Sequence, residues 1–124
     1  MFNVSTNKRI QIVNITEEVR KATKITEGAI VVSIPHTTAA IILNENEENL
    51  KKDMVEFYSR LSKGNWAHDT IDDNAASHLM ATALNSSVVI PVKGDLVLGT
   101  WQSILFVELD GPRERSVFVT QIGK

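Results

Sequence analysis

The segment Trp101–Leu109 is apolar on both of its alternating faces, and no other stretch constrains the fold as much. Ser103, Leu105, Val107 and Leu109 fall on one side, with Ile104 and Phe106 on the other. A strand of this kind needs a cover on each face. Amphipathic helices can supply one. The chain has 124 residues, enough for a single domain spanning 1–124, and few elements remain for the second cover. Subunit association is therefore expected to hide what the helices leave exposed.

Residues 2–7 and 9–15 read as short strands, the second rich in β-branched side chains. Thr16 followed by Glu17 and Glu18 predicts a capped helix over 17–25, ended by Gly28. Ala29–Pro35 and Thr38–Leu43 read as adjacent strands joined through Pro35-His36-Thr37. Leu50, Met54, Phe57, Tyr58 and Leu61 recur at helical spacing and predict a helix over 46–62. Asp72-Asp73-Asn74 is a cap for a third helix ending near Asn85. Its apolar side is predicted as Ala76, Leu79, Met80 and Ala83, with Asn74, His78, Ala81 and Asn85 opposite. Ser87–Val92, Trp101–Leu109 and Ser116–Ile122 complete about seven strands with three helices, an α+β domain in which sheet dominates.

The absence of cysteine removes thiolate zinc knuckles and thiol nucleophiles. A net charge of −2 argues against a nucleic-acid footprint or an anionic membrane surface. With neither a signal-like start nor an apolar run of membrane-spanning length, a cytoplasmic location is expected.

Chemistry concentrates on three histidines. His36, His68 and His78 come from a strand connection, a loop and a helix. Imidazoles converging from separate elements suit a metal with an open position, while the spacing equally allows three unrelated polar positions. Thr37, Thr38, Asn44 and Glu45 flank an otherwise apolar run. Gln102 and Glu108 share the face of Ile104 and Phe106. Burial there would raise the Glu108 pKa and suit it to proton transfer; the alternative is an exposed carboxylate or one paired with a nearby arginine. Arg113, in the turn Asp110-Gly111-Pro112-Arg113, is either an anion clamp or half of a surface ion pair. Trp101 lines a pocket or an interface, or packs in the core.

Taken together, His36-Thr37-Thr38-Ala39, Asn44-Glu45, Asp53, His68, Asn74-Ala75, His78-Leu79, Ile90-Pro91-Val92, Gly94-Asp95-Leu96, Leu98-Gly99-Thr100-Trp101-Gln102 and Glu108-Leu109-Asp110-Gly111-Pro112-Arg113 resemble the YjbQ family. Its members are described as secondary thiamine-phosphate synthases. Asn85, where the family usually has Gly, and Trp66, where tyrosine is more frequent, depart from the pattern.

The resemblance implies seven strands in two packed sheets and a homotrimer around a threefold axis. It implies a polar pocket on His36, His68 and His78, holding a divalent metal such as zinc or magnesium, or an anion. Glu45 and Glu108 join the histidines as catalytic candidates. Thr37, Thr38, Asn44, Asn74, Trp101 and Gln102 become substrate contacts, and Arg113 the anion anchor. The expected function is an enzyme resembling thiamine-phosphate synthases, acting on a small phosphorylated metabolite. Its alternatives are a metal-dependent hydrolase or lyase of another phosphorylated metabolite, and a non-enzymatic trimeric module that binds a metal or small ligand.

Overall fold

The computed structural model describes residues 1–124. In chain order the elements are β1 (Phe2–Ser5), β2 (Gln11–Asn14), α1 (Thr16–Ala22), β3 (Glu27–Ser33), β4 (Ala39–Asn44), α2 (Glu48–Leu61), a 3-10 turn (Ala67–Thr70), α3 (Ala75–Ala83), β5 (Ser87–Lys93), the two-residue β6 (Asp95–Leu96), β7 (Ser103–Glu108) and β8 (Glu114–Gly123). Seven full strands and three α-helices make the α+β fold expected. All pairings are antiparallel, in one sheet ordered β1-β8-β3-β5-β6 and another ordered β2-β7-β4.

The sheets pack face to face; α2 and α3 lie on the far side of the smaller one, while α1 packs Val19 into the core between the sheets. Ile104 and Phe106 of β7 join Ile30, Val32, Ile90, Val92 and Val117 of the larger sheet in one core. Val107 and Leu109 join Met54, Tyr58 and Met80 of the helices in a second. Both faces of β7 are thus covered within one chain, so its apolarity gives no reason for association. The uncovered surface lies elsewhere, on the outer face of the larger sheet. There the register aligns Ala29, Val31 and Ser33 with Pro91, Val89 and Ser87 on one side and Ile122, Thr120 and Phe118 on the other. None of these residues is charged, and Val89 and Ile122 are 64% and 61% exposed.

Local predictions shift in three places. β3 and β4 are not adjacent: they belong to different sheets, and Pro35-His36-Thr37 is the crossing between them. Alternation gives each strand its faces but not its neighbour. Gly28 does not end a helix; α1 stops at Ala22, and Gly28 lies inside β3 with φ +136 beside Gly123. A Cβ there would stand 2.0 Å from the Ile122 carbonyl oxygen. In α3 the buried residues are Ala75, Ser77 and Met80, while Leu79 is exposed. Polar anchoring sets that phase, since Ser77 Oγ donates to the Leu109 carbonyl at 2.6 Å. No helix is long and apolar enough to cross a membrane.

Candidate functional site

The crossing between sheets places His36 at the seam. Its Nε2 accepts a hydrogen bond from the Ser116 N–H of β8 at 2.9 Å. An acceptor nitrogen carries no proton, so the neutral ring bears its hydrogen on Nδ1. Burial, then the nearby Arg115 guanidinium, lowers the His36 pKa.

His68 and His78 meet on the other wall. Their rings stand edge to face with centroids 4.8 Å apart. His68 Nε2 lies 2.9 Å from Asn74 Oδ1, and Asn74 Nδ2 donates to Asp110 Oδ2 at 2.9 Å. Because the amide gives its hydrogens to the carboxylate, its oxygen must receive one from His68. That assigns a hydrogen to His68 Nε2, so in the neutral ring the lone pair is on Nδ1. Asp110 also accepts from Arg113 Nη2 at 3.0 Å. Burial pushes the Asp110 carboxyl up, but the bonds from Asn74 and Arg113 and the charges of Arg113 and Arg9 outweigh it and hold the group below its ordinary value.

Asn74 is free for this role because it does not cap α3. Asp69 Oδ1 does that work instead, accepting from the Ala75 N–H at 3.0 Å.

His36 and His78 line one cavity of about 280 Å³ together with Thr37, Thr82 and Ser86. Its lining contains imidazoles and hydroxyls and no carboxylate. The three histidines therefore share one neighbourhood: His36 and His78 across the cavity, His68 against His78.

Glu108 lies behind this cavity, not in it. It is 0% exposed and paired in two-pronged fashion with Arg115, whose Nε reaches Oε1 at 2.9 Å and whose Nη2 meets Oε2. Thr6 Oγ1 and the Asp110 N–H donate to it as well. Burial alone would raise its pKa; hydrogen bonds from Arg115, Thr6 and Asp110 reverse that and lower it. The raised, proton-transferring carboxylate is thus corrected to a buried partner of arginine. Thr38 is likewise part of the frame, its carbonyl and hydroxyl oxygens both accepting from Arg115 Nη2. Arg113 stands at the edge, half exposed and tied to Asp110.

Asn44, Glu45, Trp101 and Gln102 are not brought to the histidines within one chain. Asn44 pairs with Ser103 at the opposite end of the smaller sheet from Ala39 and Glu108. Five strand steps at roughly 3.3 Å put about 16 Å between the ends of β4. Asn44 Oδ1 accepts from the Glu45 N–H, Gln102 Oε1 from the Gly99 N–H, and Trp101 is 74% exposed. Conversely, Asp110, Arg115, Thr82 and Ser86 belong to the site or its frame and were not singled out from the sequence. Asp110 opens the turn motif that carries Arg113 and Arg115 lies two residues beyond it; Thr82 and Ser86 offer no signal.

The three-histidine metal centre does not fit this donor set. No three His, Cys, Asp or Glu side chains are arranged to hold an ion. His36 Nε2 already accepts a backbone N–H, and its Nδ1 would have to lose its proton to coordinate.

The family model for UPF0047 protein YjbQ-like matches residues 1–124. The chain belongs to the YjbQ family. A UPF0047 protein of Archaeoglobus fulgidus is 48% identical over 122 residues, 95% of this chain and 96% of that one. YugU of Bacillus subtilis is 38% identical, over 98% and 97% of the two chains. Among solved structures, a hypothetical protein of Aeropyrum pernix superimposes with a TM-score of 0.96 at 46% identity, covering 99% of this chain and 96% of the other. A YbjQ-like protein of unknown function from Sulfolobus solfataricus gives a TM-score of 0.96 at 41% identity, covering 99% and 94%.

Proposed function

We propose that this YjbQ-family chain is a cytoplasmic enzyme acting on a small phosphorylated molecule, whose phosphoryl group binds in the cavity between His36 and His78. The observation that carries this reading is the composition of the cavity wall: imidazole and hydroxyl donors with no carboxylate. Such a wall favours an anion over magnesium, which takes carboxylate or carbonyl oxygens, and it offers zinc two imidazoles, not three. His36 presents Nδ1–H as its free donor, and Arg115 behind it adds positive potential. His78, flanked by an oriented His68, is placed to donate a proton to a departing phosphate oxygen.

The reaction suggested by the family resemblance is transfer of a pyrimidine-methyl group from its diphosphate to a thiazole phosphate. The carbon–oxygen bond to diphosphate breaks, a carbon–nitrogen bond forms to the thiazole, and pyrophosphate leaves. Donors around the leaving oxygens stabilise the charge they acquire. Purified protein given both substrates should release pyrophosphate, and His78→Ala should abolish release; turnover unaffected by that substitution would overturn the assignment. The lone pair on His68 Nδ1 favours a second reading, hydrolysis of a phosphate ester by a water activated there. Phosphate release from a single substrate, lost in His68→Ala, would select it over transfer.

The same proposal places three copies around an axis, with the uncharged outer face of the larger sheet as the contact. Exposed Val89, Phe118 and Ile122 support that choice of surface.

A further inference from the structure

A second cavity, of about 200 Å³, lies between α2, α3 and the end of β7, away from the histidine pocket. Ile10, Met80 and Leu109 supply apolar wall, and Arg9, Tyr58 and Ser77 supply polar groups. Tyr58 is only 6% exposed. No protein group bonds its hydroxyl, and since no fully buried side-chain polar atom lacks a partner, the hydroxyl oxygen keeps some exposure on a residue that lines the cavity. Burial pushes the phenol pKa up and keeps it a donor.

The charge balance beside it is uneven. Arg113 Nη2 lies 3.0 Å from Asp110 Oδ2 and Arg9 Nη1 lies 3.7 Å from Oδ1. One carboxylate thus answers two guanidiniums, because Glu108 is already committed to Arg115. Arg9 carries the weaker contact, is 57% exposed, gives its Nη2 to the Asp73 carbonyl at 3.1 Å and lines the mouth of the cavity, where its charge remains available to a ligand.

We propose that this cavity is a binding site for a small monocarboxylate, held between the Arg9 guanidinium and the Tyr58 hydroxyl, with its short aliphatic tail against Ile10, Met80 and Leu109. An anionic oxygen there supplies the acceptor that Tyr58 lacks and the charge that Arg9 shares. The volume takes six or seven water-sized groups at roughly 30 Å³ each, the size of a four-carbon acid. Of the three serines on the wall, Ser62 and Ser77 already give their hydroxyl hydrogens to the Tyr58 and Leu109 carbonyls, so one guanidinium suits a carboxylate better than a phosphate, which asks for more donors.

The test is titration of the full chain with butyrate and with its uncharged isostere butyramide, followed by amide and methyl NMR shifts. Butyrate is expected to give saturable shifts at Ile10, Ser77 and Met80, with a dissociation constant on the order of 1 mM. Butyramide should bind roughly tenfold more weakly, and Arg9→Met and Tyr58→Phe should each weaken butyrate about 3- to 10-fold. Both variants keep the cavity wall, and their melting curves check the fold. Absence of saturation, equal binding of the amide, or shifts unmoved by both variants would overturn the proposal. The readout involves no turnover, so it stands or falls separately from the histidine cavity.

Discussion

Removing Arg115 leaves the Glu108 carboxylate stranded in the core, and the cost follows from its contacts. The carboxylate takes four donors: Arg115 Nε, Arg115 Nη2, Thr6 Oγ1 and the Asp110 N–H. Arg115→Met removes the charged two and keeps the neutral two. Breaking a buried pair from one side costs about 3–5 kcal/mol, and the surviving neutral donors place this case near the lower end, about 3 kcal/mol. For a domain of this size that is a large part of total stability, a fall of roughly 10–15 °C in Tm. Adding Glu108→Gln to Arg115→Met removes the stranded charge while keeping acceptors for Thr6 and Asp110, and should restore about 1–2 kcal/mol. Urea unfolding of the four proteins closes the cycle. The pH dependence supplies a second check. In the native protein Glu108 titrates below its ordinary value of 4.5, so its contribution is complete above that pH and is lost as pH falls through the lower folded value. In Arg115→Met the unpaired carboxyl titrates above its ordinary value, so the deficit relative to wild type shrinks on acidification. A loss under about 1 kcal/mol, or no recovery in the double variant, would refute the view that Arg115 holds this carboxylate in the core.

Gly111→Ala puts a Cβ 2.2 Å from the Lys8 carbonyl oxygen and 2.9 Å from Thr6 Oγ1, and should cost roughly 2–3 kcal/mol by urea unfolding; a neutral outcome would mean the turn shifts freely. If three copies associate through the outer face of the larger sheet as proposed, the native chain should sediment as a trimer and Val89→Lys as a monomer with the circular dichroism unchanged; an unchanged mass would exclude that face. His36 is held neutral, so below its ordinary value of 6.5 the unfolded chain takes up a proton that the native ring refuses until a lower pH. Stability is full above that value and falls as pH drops through the window; His36→Gln, whose amide oxygen can still accept the Ser116 N–H, should flatten the difference between unfolding at about pH 7.5 and about pH 5.5.

The elements of this fold were legible because their signals are local. Ile104, Phe106, Val107 and Leu109 declare two apolar faces in the sequence, and both faces are buried as the alternation requires. Which cover lies on which face is not local information. The run containing Ile30 and Val32 and the run containing Ala40 and Ile41 look alike, yet they join different sheets. The uncharged row Val31, Val89 and Thr120 shows itself only once the register aligns three strands distant in sequence. Association inferred from β7 therefore pointed at the wrong surface, although the apolar area it sought exists.

The site was legible to the extent that its residues break local rules. His78 on a helix and Glu108 on an apolar strand both stood out, and only the partner decides what such a residue does. Arg115, seven positions beyond Glu108, turned a suspected acid into a structural anion. Asn74 is the sharper case. Its place before α3 reads as a cap, and the apolar pattern rotates Leu79 inward; the fold rejects both, capping with Asp69 and exposing Leu79. Leu79 is 43% exposed, and completing its burial would have contributed about 1 kcal/mol, so the observed phase forgoes stability that the sequence made available. What the phase delivers instead is Asn74 on Asp110, Ser77 on Leu109 and the His78 ring against an oriented His68. A helix that gives up part of an apolar contact to hold Asn74 and His78 beside His68 is the physical reason to propose the chemistry on this wall of the molecule.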